Sequence, residues 1–436
     1  MNLDSLEFLF LFLPALVLIN FILPHKFRPL ILLISSLAFF FFLQPQMLVV
    51  LLAFTLCDYV FGYVLSKTQN AIFRKTVLVM SVMFNVAVFV LSQYTQMVPF
   101  IIGVSVISLV KISYIFSVYN RKIPSTDNII AYLSNVFCFP TAIAGPINDY
   151  VEIGYNIKNN KKSLSKIGIG ASEFIYGLFK KVVIADNVSL LISSISPDNA
   201  IPEDMVGAIL WVGSKLLVLT YTLLGYSQMA RGICKMLGFD VKSNFHYPFT
   251  ATTVKDFFNR FNVTLNSFVK KYVYIPLGGS QKGTLCMITS TLLTTLLATL
   301  WYGFSLNTVL CAFYFATIII LEKVLSTGKR GNKVILNIFT LITLLPGYLF
   351  LITSEPSDFS YLVSSLLGQN HARLMSDVTR YYLGNYWVFI LLGIFFLFDF
   401  GKRIFDKISR SKKVYNAILL SIFNIFSLAI SVAFML

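Results

Sequence analysis

The side chains best suited to chemistry are concentrated in one stretch, residues 244–279, of an otherwise very apolar chain. Apolar residues recur there three and four positions apart, which predicts a helix with one apolar face and one basic, hydrogen-bonding face. Such a helix lies in a membrane interface or lines a polar cavity inside a helical bundle. We therefore expect the stretch to belong to the working site. Its polar members include Lys255, Asp256, Asn259, Arg260, Asn262, Asn266, Lys270 and Lys271.

The composition of the whole chain is that of an integral membrane protein. Of its 436 residues, 57% are hydrophobic and 12% are charged, and the mean hydropathy is +0.77. Soluble domains carry roughly twice that charged fraction. Several windows contain about eighteen or more apolar residues, which is enough to cross the hydrocarbon core of a bilayer. The sequence therefore predicts a polytopic membrane protein of the all-α class.

The loop charges predict how these helices are threaded through the membrane. Basic residues are concentrated in alternate loops, whereas the short turns between them lack lysine and arginine. By the positive-inside rule this alternation gives twelve spans with both termini outside. Asp4 and Glu7 stand where a secretory signal would carry basic residues, so we expect the first span to be retained. The predicted spans are 6–23, 29–43, 47–65, 76–92, 98–119, 169–195, 205–229, 284–301, 304–325, 334–353, 384–400 and 415–436.

Two further segments do not fit a simple succession of spans. The apolar stretch 129–147 is flanked by basic loops on both sides and contains Pro140 and the pair Gly145-Pro146. A re-entrant element explains these features, and a kinked ordinary span is the alternative. The segment 354–383 is the only sizeable one predicted outside. It either docks a partner or caps a pore, or it is a plain connector.

The net charge of +16 does not predict a nucleic-acid partner. The basic residues lie in short loops between spans, where membrane topology and contact with anionic membrane lipids explain them. The five cysteines are scattered, mostly through apolar runs, without metal-ligand or redox spacing, so they predict neither a metal site nor a disulfide framework. Since no linker divides the chain, residues 1–436 are expected to form a single membrane domain.

Several motifs, in one order along the chain, resemble those of a known family. Residues 139–147 read Phe-Pro-Thr-Ala-Ile-Ala-Gly-Pro-Ile, residues 177–186 read Gly-Leu-Phe-Lys-Lys-Val-Val-Ile-Ala-Asp, and residues 272–279 read Tyr-Val-Tyr-Ile-Pro-Leu-Gly-Gly. With segments 225–239, 244–248 and 300–307, they resemble the membrane-bound O-acyltransferase family, in particular its bacterial branch that acylates alginate, other exopolysaccharides and lipoteichoic acid. The resemblance divides the chain into N-terminal spans (1–128), a family-like core (129–325) and C-terminal spans (326–436).

The resemblance implies a fold of about twelve transmembrane helices, with re-entrant and amphipathic helices, around a central tunnel. It implies that an acyl donor, acyl-coenzyme A or an acyl carrier protein, enters from the cytoplasmic side. The acceptor hydroxyl, on a polysaccharide or a lipid-linked molecule of the cell envelope, enters from the other side. The chain is then expected in the bacterial cytoplasmic (inner) membrane with its N-terminus outside. The alginate branch also suggests an extracytoplasmic partner protein, and no bound cofactor is expected.

The sequence departs from the family where the resemblance places catalysis. The family's catalytic histidine stands in a Leu-Trp-His-Gly segment, but residues 300–303 read Leu-Trp-Tyr-Gly, so Tyr302 occupies its position. Asn262 occupies the position of a second histidine, and Phe315 matches a third one of the alginate branch. Gln228 stands where the family usually has aspartate. The residues that we expect at the substrates from these matches are Trp301, Arg260, Lys271, Tyr226, Gln228 and Asn307.

These replacements predict a poor catalytic base. A base works best with a pKa near the operating pH, which histidine has at about 6.5 and tyrosine, at about 10, does not. Asparagine does not titrate at all, and losing a positioned base costs about 10²–10⁴ in rate. His246, the only histidine in the matched region, is one substitute, although an interfacial polar role explains it more simply. A Tyr302 activated by Arg260 or Lys271 is another.

Two functional hypotheses of different classes follow. In the first, the chain is an O-acyltransferase of the cell envelope with an altered site, and Tyr302→Phe abolishes acyl transfer. In the second, it is a catalytically inactive member that serves as a binding or assembly component, or as a conduit for an acyl or glycan group. Bulky residues such as Tyr302, Phe315, Phe258 and Phe261 would then narrow the tunnel. An unrelated transporter explains the spans but not the ordered motifs.

Overall fold

The computed structural model describes residues 1–94, 102–123, 128–143, 145–159, 162–325, 331–369, 374–398 and 413–436. Within these ranges the regular structure is helical, apart from one isolated antiparallel bridge between Phe245 and Phe261. In lipid every backbone polar group must be satisfied internally, and a helix achieves this within one segment. The all-α fold class predicted from the sequence is confirmed.

The helices follow one another with short connections over most of the chain. Segments of π-helix lie at Phe8–Phe12, Lys180–Asp186 and Lys270–Tyr274, and the second of these follows α9 and precedes α10 in the chain. The α-helices are α1 (Leu13–Ile22), α2 (Arg28–Leu43), α3 (Pro45–Lys67), α4 (Ala71–Tyr94), α5 (Val104–Tyr119), α6 (Ile129–Val136), α7 (Phe139–Ala142), α8 (Tyr150–Lys158), α9 (Leu164–Phe179), α10 (Asn187–Ile195), α11 (Met205–Met236), α12 (Val254–Arg260), α13 (Val263–Val269), α14 (Thr284–Leu300), α15 (Leu306–Val324), α16 (Lys333–Ile352), α17 (Pro356–Leu366), α18 (Asp377–Leu397) and α19 (Lys413–Ala433).

The predicted spans can be compared with these helices one by one. In the described part of the chain, seven helical segments are long and apolar enough to cross a membrane, and they contain α2, α3, α4, α11, α15, α16 and α18. Shorter apolar helices include α5 and α14. Every predicted span overlaps a helix, and span 169–195 falls within the residues of α9, the second π-helical segment and α10. The count of twelve crossings stays a prediction.

The chain divides into two compact units, of which the first comprises Met1–Leu178, Gly225–Ser243 and Met435–Leu436. Here α3 and α4 pack against α5, and α2 packs against α6. Helix α9 approaches the C-terminal part of α11 closely, since a Cβ atom on Gly170 would lie 2.6 Å from the carbonyl oxygen of Gly232. Small residues permit such backbone approach between membrane helices.

A buried ion pair joins α3 to α5 within the first unit. The Lys111 Nζ lies 2.8 Å from the Asp58 carboxylate, and both side chains are fully buried. Asp58 also accepts hydrogen bonds from Ser81 Oγ at 2.6 Å and from Asn85 Nδ2 at 2.9 Å, both on α4. The sequence predictions missed this pair, although an isolated charge inside an apolar helix is a recognisable signal for a buried partner.

The second unit comprises Phe179–Leu224 and Asn244–Phe434. In this unit α14, α15 and α16 pack against one another in chain order, and α10 packs against α18. Trp211 of α11 belongs to a buried apolar cluster with Leu191, Leu349 and Leu362, which joins α10, α16 and α17. The second unit contains the whole polar stretch 244–279.

The two irregular segments predicted from the sequence have different outcomes. Segment 129–147 is broken as expected, because α6 ends at Val136 and α7 is four residues long, while its re-entrant path stays a prediction. The segment 354–383 contains α17 and the start of α18, which the sequence did not predict, while its place outside the membrane stays a prediction. Pro356 starts α17 and Glu355 forms a capping box with Asp358, which are local helix-start signals. His371 lies outside the described residues.

Candidate active site

The polar stretch 244–279 forms several short helices instead of the single amphipathic helix predicted from its spacing. Helix α12 ends at Arg260, and α13 begins only at Val263. Between them Asn262 adopts a left-handed backbone conformation, with φ +49° and ψ 54°. Asparagine tolerates this region better than most residues, because its short polar side chain can hydrogen-bond locally. The periodicity could not show this break.

The start of α13 is capped by a residue far away in sequence. Asn244 Oδ1 accepts hydrogen bonds from the Thr264 backbone N–H at 3.0 Å and from Thr264 Oγ1 at 2.7 Å, and the Val263 N–H bonds the Asn244 carbonyl at 2.9 Å. Asn262 stands at the N-cap position yet makes no side-chain cap bond. Because Asn244 satisfies the helix start, the Asn262 amide is available for another partner.

That partner is Tyr302, so the structure brings together the two positions where the resemblance places family histidines. Asn262 Nδ2 donates a hydrogen bond of 2.8 Å to the Tyr302 phenol oxygen. Tyr302 lies in the turn between α14 and α15, where its backbone N–H bonds the Thr299 carbonyl at 2.9 Å. The ring of Phe261 lies beside it, with centroids 6.5 Å apart.

The protonation state of the phenol decides what this pair can do. Burial raises the pKa of Tyr302 to about 12, and the hydrogen bond from Asn262 opposes that rise only in part. At neutral pH the phenol therefore keeps its proton, accepts the amide hydrogen of Asn262 and has its own O–H left to donate. The pair is a hydrogen-bond donor for an oxyanion or carbonyl oxygen, and it is not a general base.

Asn262 also contributes an unsatisfied acceptor to the site. The residue is 5% exposed, and its Oδ1 has no hydrogen-bond partner among the described residues. A buried amide oxygen without a partner is costly, so it is a place where a ligand hydroxyl or a water molecule would be bound favourably.

The third aligned position is filled by packed aromatic rings. Phe315 belongs to a buried cluster with Val254, Cys311 and Leu344, and its ring meets that of Phe258 edge to face at a centroid distance of 5.0 Å. A Cβ atom on Gly347 would clash with the Phe315 ring, so α15 and α16 lie close together here. This position therefore supplies shape and apolar surface, and it supplies no titratable group.

The two cations expected near Tyr302 are engaged elsewhere or exposed. Arg260 pairs with Asp256 at 3.0 Å and donates to Thr250 Oγ1 at 3.1 Å. Lys271 is exposed, and its Nζ lies 5.0 Å from the centroid of the Tyr272 ring. Among the described residues, the side-chain hydrogen bond to the Tyr302 oxygen comes from Asn262. Within the described part of the chain, the geometry accordingly places neither Arg260 nor Lys271 on the phenol.

The remaining candidates occupy several different surroundings. His246 is exposed, and its backbone N–H bonds the Arg260 carbonyl at 2.9 Å, which ties the start of the stretch to the end of α12. Asn307 is fully buried, and its Nδ2 donates to Thr353 Oγ1 at 2.8 Å and to the Glu355 carbonyl at 2.7 Å. Trp301 is half-buried beside Tyr302 in the chain.

Two candidates lie on α11 in the first unit. Tyr226 Oη donates a hydrogen bond to Asp4 Oδ2 at 3.0 Å, and Gln228 follows it after one residue, half-buried. Asp4 served in the sequence analysis only as evidence against a secretory signal, and no contact was predicted for this residue. Its contact with Tyr226 spans 222 positions, so no local pattern could have predicted it.

Two charged residues that the sequence predictions did not single out hold the stretch against the neighbouring helices. Glu322 of α15 accepts hydrogen bonds from the backbone N–H groups of Val254 and Lys255, at 2.7 and 3.0 Å, and so caps α12. Lys323 donates to Tyr274 Oη at 3.2 Å and to Thr291 Oγ1 at 3.0 Å. The available signal was an adjacent pair of opposite charges near the end of an apolar span.

Comparisons with known proteins agree with the ordered motifs. A model described as MBOAT, membrane-bound O-acyltransferase family, matches residues 31–330. The chain is 29% identical over 360 residues to the probable alginate O-acetylase AlgI of Pseudomonas fluorescens, and the match covers 79% of this chain and 71% of that protein. It is 27% identical over 347 residues to the peptidoglycan O-acetyltransferase of Helicobacter pylori, with coverages of 68% and 65%. A shorter match, 25% over 147 residues, covers 32% of this chain and 36% of the teichoic acid D-alanyltransferase of Bacillus subtilis.

Proposed function

Because the chain belongs to the membrane-bound O-acyltransferase family, we propose that it transfers an acyl group to a hydroxyl group of a cell-envelope polysaccharide. The names of the similar proteins point to alginate, peptidoglycan and teichoic acid, all of which are hydroxyl- or amine-bearing polymers outside the cytoplasm. A polysaccharide or a lipid-linked precursor is the acceptor class that these relatives support. The donor that we propose is a thioester, acyl-coenzyme A or an acyl carrier protein.

The membrane topology predicted from the loop charges supports a donor on the cytoplasmic side. We place the protein in the bacterial cytoplasmic membrane with its N-terminus outside, so that the basic loops face the cytoplasm. Coenzyme A and acyl carrier proteins are anionic, and a basic surface raises their local concentration. An extracytoplasmic partner protein that receives or presents the acceptor belongs to the same proposal.

The hydrogen bond between Asn262 and Tyr302 is the observation that carries the mechanism. In the proposed mechanism, the acceptor hydroxyl oxygen attacks the carbonyl carbon of the thioester and forms the new ester bond. The Tyr302 O–H donates to the carbonyl oxygen and stabilises the oxyanion that develops on it. The carbon–sulfur bond then breaks, and the departing thiolate takes the proton that the acceptor hydroxyl loses. Without a positioned base, we expect turnover about 10²–10⁴ slower than with a histidine at this position.

A second candidate function rests on the same geometry. A catalytically inactive member would retain a binding site with the protonated phenol of Tyr302 and with packed aromatic rings at Phe315. Such a protein would serve as an assembly component or as a conduit for an acyl or glycan group. It would bind the donor or the acceptor without turnover.

Acyl turnover by the purified protein separates the two functions. The protein in phospholipid nanodiscs would be supplied with acetyl-coenzyme A, or with acetylated acyl carrier protein, and with a polysaccharide acceptor. Ester formation that is lost in Tyr302→Phe, with folding and donor binding retained, supports acyl transfer. Ester formation that Tyr302→Phe leaves unchanged contradicts the role of the phenol, and binding without any turnover supports the inactive component.

A further inference from the structure

A polar cavity of about 750 Å³ lies in the second unit, away from the short helices of the 244–279 stretch. Its walls come from the N-terminal half of α11 with the turn before it, the C-terminal end of α16, and α17. Hydroxyl-bearing side chains dominate the lining, together with one cation. The lining includes Trp211, Lys215, Thr353, Ser357, Tyr361 and Ser364. The volume is in the range of ligand-binding sites.

Helix α17 presents a row of hydroxyl groups to this cavity. Ser357, Ser360, Tyr361 and Ser364 line it, and their spacing of three, four and seven residues places them on one helical face. The opposite face is apolar: Leu362 is fully buried and belongs to the apolar cluster of the unit. Tyr361 remains 39% exposed, so its ring is accessible for stacking. Ser360 and Ser364 donate their own O–H to carbonyl groups of α17, so their oxygens are left to accept bonds from sugar hydroxyls. Such acceptors and an accessible aromatic ring suit a carbohydrate better than an acyl chain.

Lys215 gives the cavity a positive charge deep within α11. It lies ten residues after Met205, which corresponds to about 15 Å along the helix axis. Its Nζ lies 4.1 Å from the Trp211 ring, and Trp211 is itself held by a hydrogen bond of 3.1 Å from Nε1 to Ser196 Oγ. Among the described residues no carboxylate pairs with Lys215. A cation at this depth is costly unless it faces a water-filled cavity or binds an anion.

The acidic residue of the lining, Asp358, is engaged in capping the start of α17. Asp358 Oδ2 accepts a hydrogen bond from the Glu355 backbone N–H at 3.2 Å, as part of the capping box of α17. Its other oxygen is of the kind that accepts bonds from sugar hydroxyls. The lining thus combines a fixed cation with many weak, neutral hydrogen-bonding groups.

The cavity is joined to the turn that contains Tyr302 through one buried side chain. Asn307, in the first turn of α15, donates to Thr353 Oγ1 at 2.8 Å and to the Glu355 carbonyl at 2.7 Å. Thr353 lines the cavity, and the α15 N-cap residue Ser305 follows Tyr302 by three positions. Asn307 therefore fixes the cavity wall relative to the proposed acyl-transfer site.

We propose that this cavity binds the acceptor polysaccharide, with the hydroxyl face of α17 along the sugar chain and Lys215 paired with an anionic group on it. This inference deepens the proposed function and rests on it. The anionic group is a carboxylate or a phosphate, both of which an ammonium binds by charge-assisted hydrogen bonds. Lys215 then selects charged acceptors over neutral ones, and Asn307 acts as a positioning residue.

Binding without a donor tests this inference separately from catalysis. The full chain in phosphatidylcholine nanodiscs would be titrated with three oligomers of equal length: a hexuronic acid, a glycerol phosphate and a neutral glucan. We expect one of the anionic oligomers to bind at least about 10-fold more tightly than the glucan, and which one does so identifies the source of the anion. Since hydrogen bonds to charged groups are strong, Lys215→Met should weaken that binding about 10- to 100-fold, and Lys215→Arg should retain most of it.

Two further variants keep the test interpretable. Lys333→Met makes the same chemical change at an exposed residue that begins α16, at the other end of this helix from Thr353, and it should bind as the unaltered protein does. Tyr361→Ala changes the exposed face of α17 and should weaken the binding of every anionic oligomer that binds.

Three results of the titration overturn the inference: an affinity for the glucan equal to that for the anionic oligomers, no binding of any oligomer, or full binding by Lys215→Met. Lys215-dependent binding of an anionic lipid in place of the oligomers also overturns it. Each of these results leaves acyl turnover to decide the proposed function.

Discussion

Asn262 and Tyr302 are 40 positions apart in the chain, and the amide of the first donates a 2.8 Å hydrogen bond to the phenol oxygen of the second. The contact depends on Asn244, which caps α13 and so leaves the Asn262 side chain available. The two residues stand where the resemblance places two histidines, and the pair retains a polar contact between these positions without a group that titrates near neutral pH. In the proposed function, the pair therefore donates a hydrogen bond and does not accept a proton.

Replacing Tyr302 with histidine should increase acyl turnover. The imidazole has a pKa near neutral pH and can accept the proton of the acceptor hydroxyl, whereas the phenol cannot. We expect the rate of ester formation in Tyr302→His to rise by up to about 10²–10⁴, measured with acetyl-coenzyme A or acetylated acyl carrier protein in nanodiscs. Tyr302→Phe serves as the matched control and should fall below the unaltered protein. A histidine variant that folds, binds the donor and shows no turnover would favour the inactive component.

The pH dependence of turnover should show no step from Tyr302 in the neutral range. The folded-state pKa of this phenol is raised to about 12 by burial, compared with about 10 in an unfolded chain. Its contribution to stability is therefore fully present below about pH 10 and is lost as the pH rises through about 12. Between about pH 6 and 9 the Tyr302 phenol should stay protonated, so it should add no pH dependence to the rate of ester formation. A tyrosinate absorbance change in that range that Tyr302→Phe removes would contradict this assignment.

The helices were easier to predict from the sequence than the contacts at the site. Apolar runs predicted segments that each overlap a helix, because lipid forces such runs into helices, while the twelve crossings and their orientation stay predictions. The motifs also located the segments that contain Asn262 and Tyr302. Their hydrogen bond could not be predicted, since it depends on a left-handed residue and on a cap from Asn244, both of which are set by tertiary contacts. The helix α17 was missed because its capping signals lie inside a mixed, weakly apolar segment.

Removing the cap residue should destabilise the site without touching the pair itself. In Asn244→Ala the Thr264 N–H and hydroxyl lose their buried acceptor, and the loss of a helix cap costs about 0.5–2 kcal/mol. Asn262 would then be drawn towards the vacant cap and away from Tyr302, so turnover should fall as well. Thermal unfolding in detergent and the rate of ester formation measure the two effects. Asn259→Ala, at an exposed position of α12, is the control, and equal behaviour of the two variants would contradict the capping role.

The buried pair of Asp58 and Lys111 should stabilise the first unit only while both partners are present. Breaking a buried ion pair leaves one charge without its counterion and typically costs about 3–5 kcal/mol. We therefore expect Lys111→Met to lower the thermal midpoint in detergent strongly, since Asp58 keeps only the hydrogen bonds from Ser81 and Asn85.

The double variant Asp58→Asn/Lys111→Met should recover most of that loss, because asparagine can keep the bond from Ser81 and no buried charge remains. The exposed pair of Lys242 and Glu152 provides the matched control, with side chains 60% and 38% exposed. Lys242→Met should cost less than about 1 kcal/mol, as surface pairs do. If the double variant is no more stable than Lys111→Met, the desolvated charge is not the source of the loss, and the contacts of the lysine stem within α3 and α5 account for it instead.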